Sequence, residues 1–175
     1  MNVIHNGIQV TYTSGRQAPT INVPVNACDC HNHIYDPLRF PYLPTDTRNQ
    51  PPATVPMLRL LQKRLGLTRA VIVTPSAYGL DNACTLDALE QLGNSSRGVV
   101  VVDGSVRDAE LETMPAKGVR GIRFNIATGG SDDTAMIRTL SGRIRELGWH
   151  VQFNLAGERI QAMRGFIESL PSDVV

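Results

Sequence analysis

From residue 27 onward the apolar positions fall into two alternating rhythms. RAVIV (69–73), GVVVVDG (98–104), GVRGIRFN (118–125) and GWHVQFN (148–154) are short runs rich in β-branched and aromatic residues, the signature of strands. ACDCHNHIY (27–35) reads as a strand before them, and SDVV (172–175) as the start of a sixth. Between these runs the apolar residues recur every three or four positions. Met57, Leu58, Leu61 and Leu65 predict one helix, and Leu86, Leu89 and Leu92 a second. Leu111 and Met114 mark a short third, Ile137, Leu140, Ile144 and Leu147 a fourth, and Ile160, Met163, Phe166, Ile167 and Leu170 a fifth. Gly66, Gly93, Gly118 and Gly148 follow the first four, where a helix needs a left-handed cap. Thr54 and Ser131 stand where N-caps are expected, and Pro56 is tolerated in a first turn.

Strand and helix in strict alternation imply parallel strands joined by right-handed crossovers. A doubly wound open sheet and a (β/α)8 TIM-type barrel both satisfy that rule. A dinucleotide-binding open sheet carries a glycine-rich turn after its first strand, and HIYDPLRFPYLP has none. A barrel gathers polar residues at the C-terminal ends of several strands. His31, His33, Thr74, Ser76, Asp103, Arg123, Asn125, Gln152 and Asn154 follow that pattern, which favours the barrel. A barrel usually needs about 250 residues. The chain is therefore expected to be the N-terminal two-thirds of one, truncated at about the sixth strand over residues 27–175, with residues 1–26 as an extended arm.

Charge narrows the partners. The 175 residues carry 17 Lys+Arg and 16 Asp+Glu, a net charge of +1, with no basic stripe for nucleic acid. No apolar run approaches the roughly 20 residues of a membrane span, and the N-terminus lacks a signal-like apolar core. Three cysteines give no disulfide framework. The expectation is a cytoplasmic protein with a small-molecule partner, and with self-association as a homo-oligomer open.

Side chains alternate across a strand. Asp29, His31 and His33 then share one face, and Cys28, Cys30 and Asn32 the other. A Cys2His2 zinc knuckle needs four converging ligands, which one continuous strand cannot provide. The cysteines are expected outside, packed beneath helices. The histidines are expected inside, able to hold a divalent metal such as zinc or to face a substrate carbonyl. By the same alternation Arg123 points inward with Asn125, and Arg120 outward. An inward guanidinium calls for an anion, either a substrate carboxylate or an internal partner such as Asp29 or Asp103. Gln152 and Asn154 face inward to bond substrate oxygens or to fill a polar barrel mouth. Tyr42, on the long loop after the first strand, is either part of a lid or a packing anchor.

DCHNHIYDPLRFPYLP, GLTRAVIVTPSAYGLDN, GVVVVDG, GVRGIRFN and GWHVQFN, in that order, resemble the amidohydrolase superfamily. They are most similar to its branch of 2-pyrone-4,6-dicarboxylate lactonases, sulfomuconolactone hydrolases and galactarolactone isomerases. The resemblance implies a hydrolase or isomerase of a small carboxylated lactone. His31 and His33 would line the site and polarise the lactone carbonyl, Ser76 would contact substrate, and Arg123 would bind a carboxylate. A divalent metal is not required, and the general base, an aspartate, would lie beyond residue 175. A metal-dependent decarboxylase and an inactive barrel fragment are the alternatives. The IATGGSDD segment after Arg123 has no basic residue, which brings a less charged, sugar-derived lactone alongside a dicarboxylate.

Overall fold

The computed structural model describes residues 3–5, 8–10, 17–128 and 132–174. Strands β1 (Val3–His5) and β2 (Ile8–Val10) pair antiparallel, and residues 17–26 carry neither helix nor strand. The remaining strands are β3 (Cys28–Asn32), β4 (Arg69–Val73), β5 (Ser96–Val100), β6 (Val119–Phe124) and β7 (His150–Phe153). They form one parallel sheet in sequence order, β3-β4-β5-β6-β7. Helices α1 (Val55–Leu65), α2 (Ala83–Leu92), α3 (Asp108–Thr113) and α4 (Thr134–Arg145) fill the crossovers, and α5 (Gly157–Glu168) follows β7. Sequential strand order with a helix between each pair is the arrangement of a (β/α)8 barrel, here as a curled half-barrel. At residues 172–174 there is a turn, although the Val174 carbonyl already accepts the Val151 N–H at 2.5 Å.

The core lies between the sheet and its helices. Ile72, Val100, Val119 and Ile122 of the strands are fully buried with Ile137, Leu140 and Ile144 of α4. Removing such side chains from water is the main force holding the layers together. Gly98 shows how close they approach. A Cβ there would come 2.5 Å from Leu89 Cδ1, so any side chain at 98 would push the tip of Leu89 aside where α2 packs on β5. Helix α5 is less committed to the core, with Met163 buried but Ile160 53 % exposed.

Helix ends follow local chemistry. Gly66 closes α1 in the left-handed region at φ 72°. Thr54 occupies the N-cap of α1 without a side-chain bond. The expected cap Ser131 lies outside the described residues. Asp133 caps α4 instead, its carboxylate accepting from the Ala135 and Met136 N–H groups.

Two strands differ from the expected bounds. The 98–104 strand begins earlier, at Ser96, and ends at Val100. Beyond it the Asn82 side chain takes over the ladder's role, accepting from Val101 N at 2.9 Å and donating to Val101 O at 2.8 Å. The first strand ends at Asn32 rather than Tyr35 and carries an irregularity, with Asp29 opposite Ala70 but Asn32 opposite Ile72. Asp29 supplies the cause: its carboxylate accepts the His31 N–H at 3.2 Å and the Asn32 amide at 3.0 Å. A side chain that captures a ladder donor leaves one residue unpaired and bulges the strand.

The placement of the cysteines corrects the sequence expectation. Cys28 is half-buried and Cys30 exposed, and no helix covers Cys30. Among the described strands β3 is an edge of the five-stranded sheet.

Candidate active site

The strands' C-terminal ends bring together side chains far apart in sequence. The His31 and His33 rings stand edge to face, with centroids 5.1 Å apart. Both therefore project to one side of β3 despite the bulge. Arg123, at the end of β6, places Nη1 2.9 Å from His31 Nε2 and donates through Nε to Asn125 Oδ1 at 2.6 Å. His33 Nδ1 lies 2.7 Å from the Val73 carbonyl at the end of β4.

These contacts fix the proton positions. A carbonyl only accepts, so His33 carries its proton on Nδ1 and leaves the Nε2 lone pair free. A guanidinium only donates, so His31 accepts at Nε2 and holds its proton on Nδ1. Burial, with smaller contributions from Arg123 and His31, pushes the His33 pKa down to about 4. His31 is lowered as well, first by burial and then by the Arg123 charge. Both rings are thus neutral near pH 7, one offering an acceptor and the other a donor.

Arg123 is half-buried, and burial pushes its pKa down. Neither Asp29 nor Asp103 pairs with it: among the described residues no carboxylate lies within ion-pair distance of its guanidinium. Asp29 is committed to the β3 bulge, and Asp103 Oδ1 accepts from the Ser105 N–H and hydroxyl at 2.9 and 2.6 Å. Arg120 faces the other way, bonding the Pro115 and Val119 carbonyls.

A cleft of about 680 Å³ opens beside Arg123; His31 and His33 adjoin it through Arg123 and are not part of its lining. Its lining includes Ser76, Asp103, Arg123 and Asn125, with Leu43, Thr45, Asp46, Thr47 and Arg48 from the loop after β3. Asp46 grips Arg48 through Nε, Nη2 and the backbone N–H, which holds the Asp46 carboxyl below its usual range. The sequence reading missed this loop wall. Its one signal was the polar run TDTR at 45–48, which nothing local ties to the strand ends.

Other expected site residues lie elsewhere. Gln152 and Asn154 do not line the cleft. Gln152 Nε2 sits 3.2 Å from His150 Nε2, and its Oε1 is buried without a partner among the described residues. The Asn154 backbone bonds Phe124 O and Ala127 N. Tyr42 is an anchor: its hydroxyl donates to Gln50 O at 2.9 Å, and its ring packs on Tyr35 and Tyr78. Thr74 is buried and bonded to Asn82 and Thr85, so it ties α2 to the sheet.

A divalent cation would find two imidazoles here, and the accepting nitrogen of His31 already faces a guanidinium. Among the described residues no group of three or more His, Cys, Asp or Glu side chains is placed to hold a metal. Among the described residues two imidazoles, one of them turned to a guanidinium, do not fit a metal centre by themselves. No described helix is long and apolar enough to cross a membrane.

The chain is similar to known proteins over most of its length. The chain is 34% identical over 160 residues to a 2-pyrone-4,6-dicarboxylate hydrolase of Comamonas testosteroni, covering 90% of this chain and 52% of that protein. It is 30% identical over 165 residues to a 4-sulfomuconolactone hydrolase of Rhizobium radiobacter, covering 91% and 55%. A crystal structure of an Agrobacterium tumefaciens protein in its apo form superposes with a TM-score of 0.77 at 25% identity, covering 89% of this chain and 57% of that one. The chain thus spans about half the length of the relatives it matches. The amidohydrolase family model matches residues 28–175, and the chain belongs to the amidohydrolase family.

Proposed function

We propose that this chain carries the substrate-binding and carbonyl-polarising part of a hydrolase or isomerase that acts on a small carboxylated lactone. The observation that carries the reading is Arg123: a half-buried guanidinium with no carboxylate partner among the described residues, 2.9 Å from His31. Its open donors suit a substrate carboxylate, gripped in fork geometry.

The histidines divide the remaining work. His31, with its proton on Nδ1, is the donor for a lactone carbonyl as negative charge develops on oxygen. His33 cannot donate from Nε2 while neutral. Its lone pair instead accepts from the attacking water and orients it. This narrows the expectation that both imidazoles polarise the carbonyl. The two relatives named for lactone or pyrone hydrolysis support the substrate class.

Isothermal titration with 5-oxotetrahydrofuran-2-carboxylate tests the reading directly. Arg123→Gln is expected to weaken binding by about tenfold or more, the effect of losing a charge-assisted hydrogen bond. Equal affinity in the variant and the parent chain would overturn it.

A further inference from the structure

Among the described residues four charged side chains line the cleft: Asp46, Arg48, Asp103 and Arg123. Two of them satisfy each other. Asp46 holds Arg48 at its backbone N–H and at two guanidinium nitrogens. A second substrate carboxylate would have to displace a carboxylate tethered two residues away, at high effective concentration. The other two are open. Arg123 lacks an anionic partner among the described residues, and Asp103 has only Oδ1 engaged, by Ser105. Oδ2 of Asp103 has no hydrogen bond to any described residue. The Ser105 bonds hold the Asp103 carboxyl below its ordinary range, so it is an anion at neutral pH.

One open cation and one open anion ask for a ligand with one carboxylate and a hydrogen-bond donor. The neutral lining agrees, since Thr45, Thr47 and Ser76 can each exchange hydrogen bonds with hydroxyls. We infer that the cleft is specific for a hydroxylated lactone bearing a single carboxylate, and that Asp103 is the specificity-determining residue, accepting from a substrate hydroxyl and repelling a second carboxylate. This rests on the lactone reading above and narrows its substrate class.

Three probes with the same five-membered lactone ring separate the two claims. 5-Oxotetrahydrofuran-2-carboxylate has one carboxylate and no hydroxyl, glucaro-1,4-lactone has one carboxylate with hydroxyls, and 5-oxotetrahydrofuran-2,3-dicarboxylate has two carboxylates. Titration of the chain is expected to show the hydroxylated probe binding about tenfold tighter than the plain one, and the dicarboxylate no tighter than the plain one. In Asp103→Asn the hydroxyl advantage should shrink severalfold while the dicarboxylate gains. Asp103 also closes a turn with Ser105, so urea denaturation and Ser105→Ala accompany it. Ser105→Ala loosens the turn but keeps the carboxylate, and should keep the probe order. A dicarboxylate bound tightest, or a probe order unchanged by Asp103→Asn in a folded chain, overturns the specificity claim. It overturns that claim alone where the plain probe still binds through Arg123. Loss of all binding, or indifference to Arg123→Gln, sinks the lactone reading and this inference with it.

Discussion

Arg120 and Arg123 sit three residues apart on β6 and lead opposite lives. Arg120 opens onto an outer groove of about 770 Å³ between α2 and the turn before β6, larger than the 680 Å³ cleft. That groove also holds Arg97 and Lys117. Yet its arginines are satisfied by the backbone: Arg120 bonds the Pro115 and Val119 carbonyls, and Arg97 those of Asn94 and Ser96. Arg123 has instead a neutral imidazole, an amide oxygen and no carboxylate within reach among the described residues. The arginines of the larger hollow are satisfied, and the one in the smaller cleft is poised to meet an anion. What separates the arginines of the two hollows is whether backbone carbonyls have already answered them.

The poised end should show itself in acid. A histidine whose pKa drops from 6.5 to about 4 on folding stays neutral in the fold while the unfolded chain takes up a proton. The stability tied to a neutral His33 is fully present above pH 6.5 and is lost as pH falls toward 4. The loss is about 3 kcal/mol across that window. Urea denaturation at pH 7, 5.5 and 4 is expected to show this acid limb, and His33→Gln to flatten it. An acid limb unchanged by that substitution would mean His33 is not held neutral.

Strand packing at Gly121, which lines neither hollow, should answer to sterics alone. Gly121 lies opposite His150 in the register, where a Cβ would stand 2.8 Å from both the His150 carbonyl oxygen and its ring. Gly121→Ala should cost about 1–3 kcal/mol in denaturation. A cost under 0.5 kcal/mol would show that β6 and β7 are looser there than drawn. The smallest effect is expected at the open edge. Because Cys30 is exposed and Cys28 half-buried, the double Cys28→Ala/Cys30→Ala change should alter stability by less than about 0.5 kcal/mol. It should also leave the metal content of the purified chain unchanged, measured by mass spectrometry.

Much of this contrast was legible in the sequence, because it depends on strand phase. Alternation alone turned Arg123 toward His31 and Arg120 away, and the αβ repeat gave the strand order. What was not legible depends on contacts that close only in three dimensions. Asp29 reads as one more inward polar residue, yet its carboxylate takes the His31 N–H and bulges the strand. The Asp46–Arg48 clasp lies on a loop with no periodicity, and only the folded loop brings it to the cleft. Cys30 was expected under a helix because alternation turned it outward, whereas it is exposed. Gln152 and Asn154 had the phase of site residues, yet neither lines the cleft, and Gln152 turns to His150 instead.

The central claim is that Arg123, and not Arg120, is the chain's carboxylate receptor. Titrating Arg123→Gln and Arg120→Gln side by side with 5-oxotetrahydrofuran-2-carboxylate tests it most directly. The account predicts at least about a tenfold loss of affinity for Arg123→Gln. It predicts less than a twofold change for Arg120→Gln, whose effect should appear as about 1 kcal/mol in stability. Equal losses of affinity in the two variants, or a larger loss for Arg120→Gln, would contradict it.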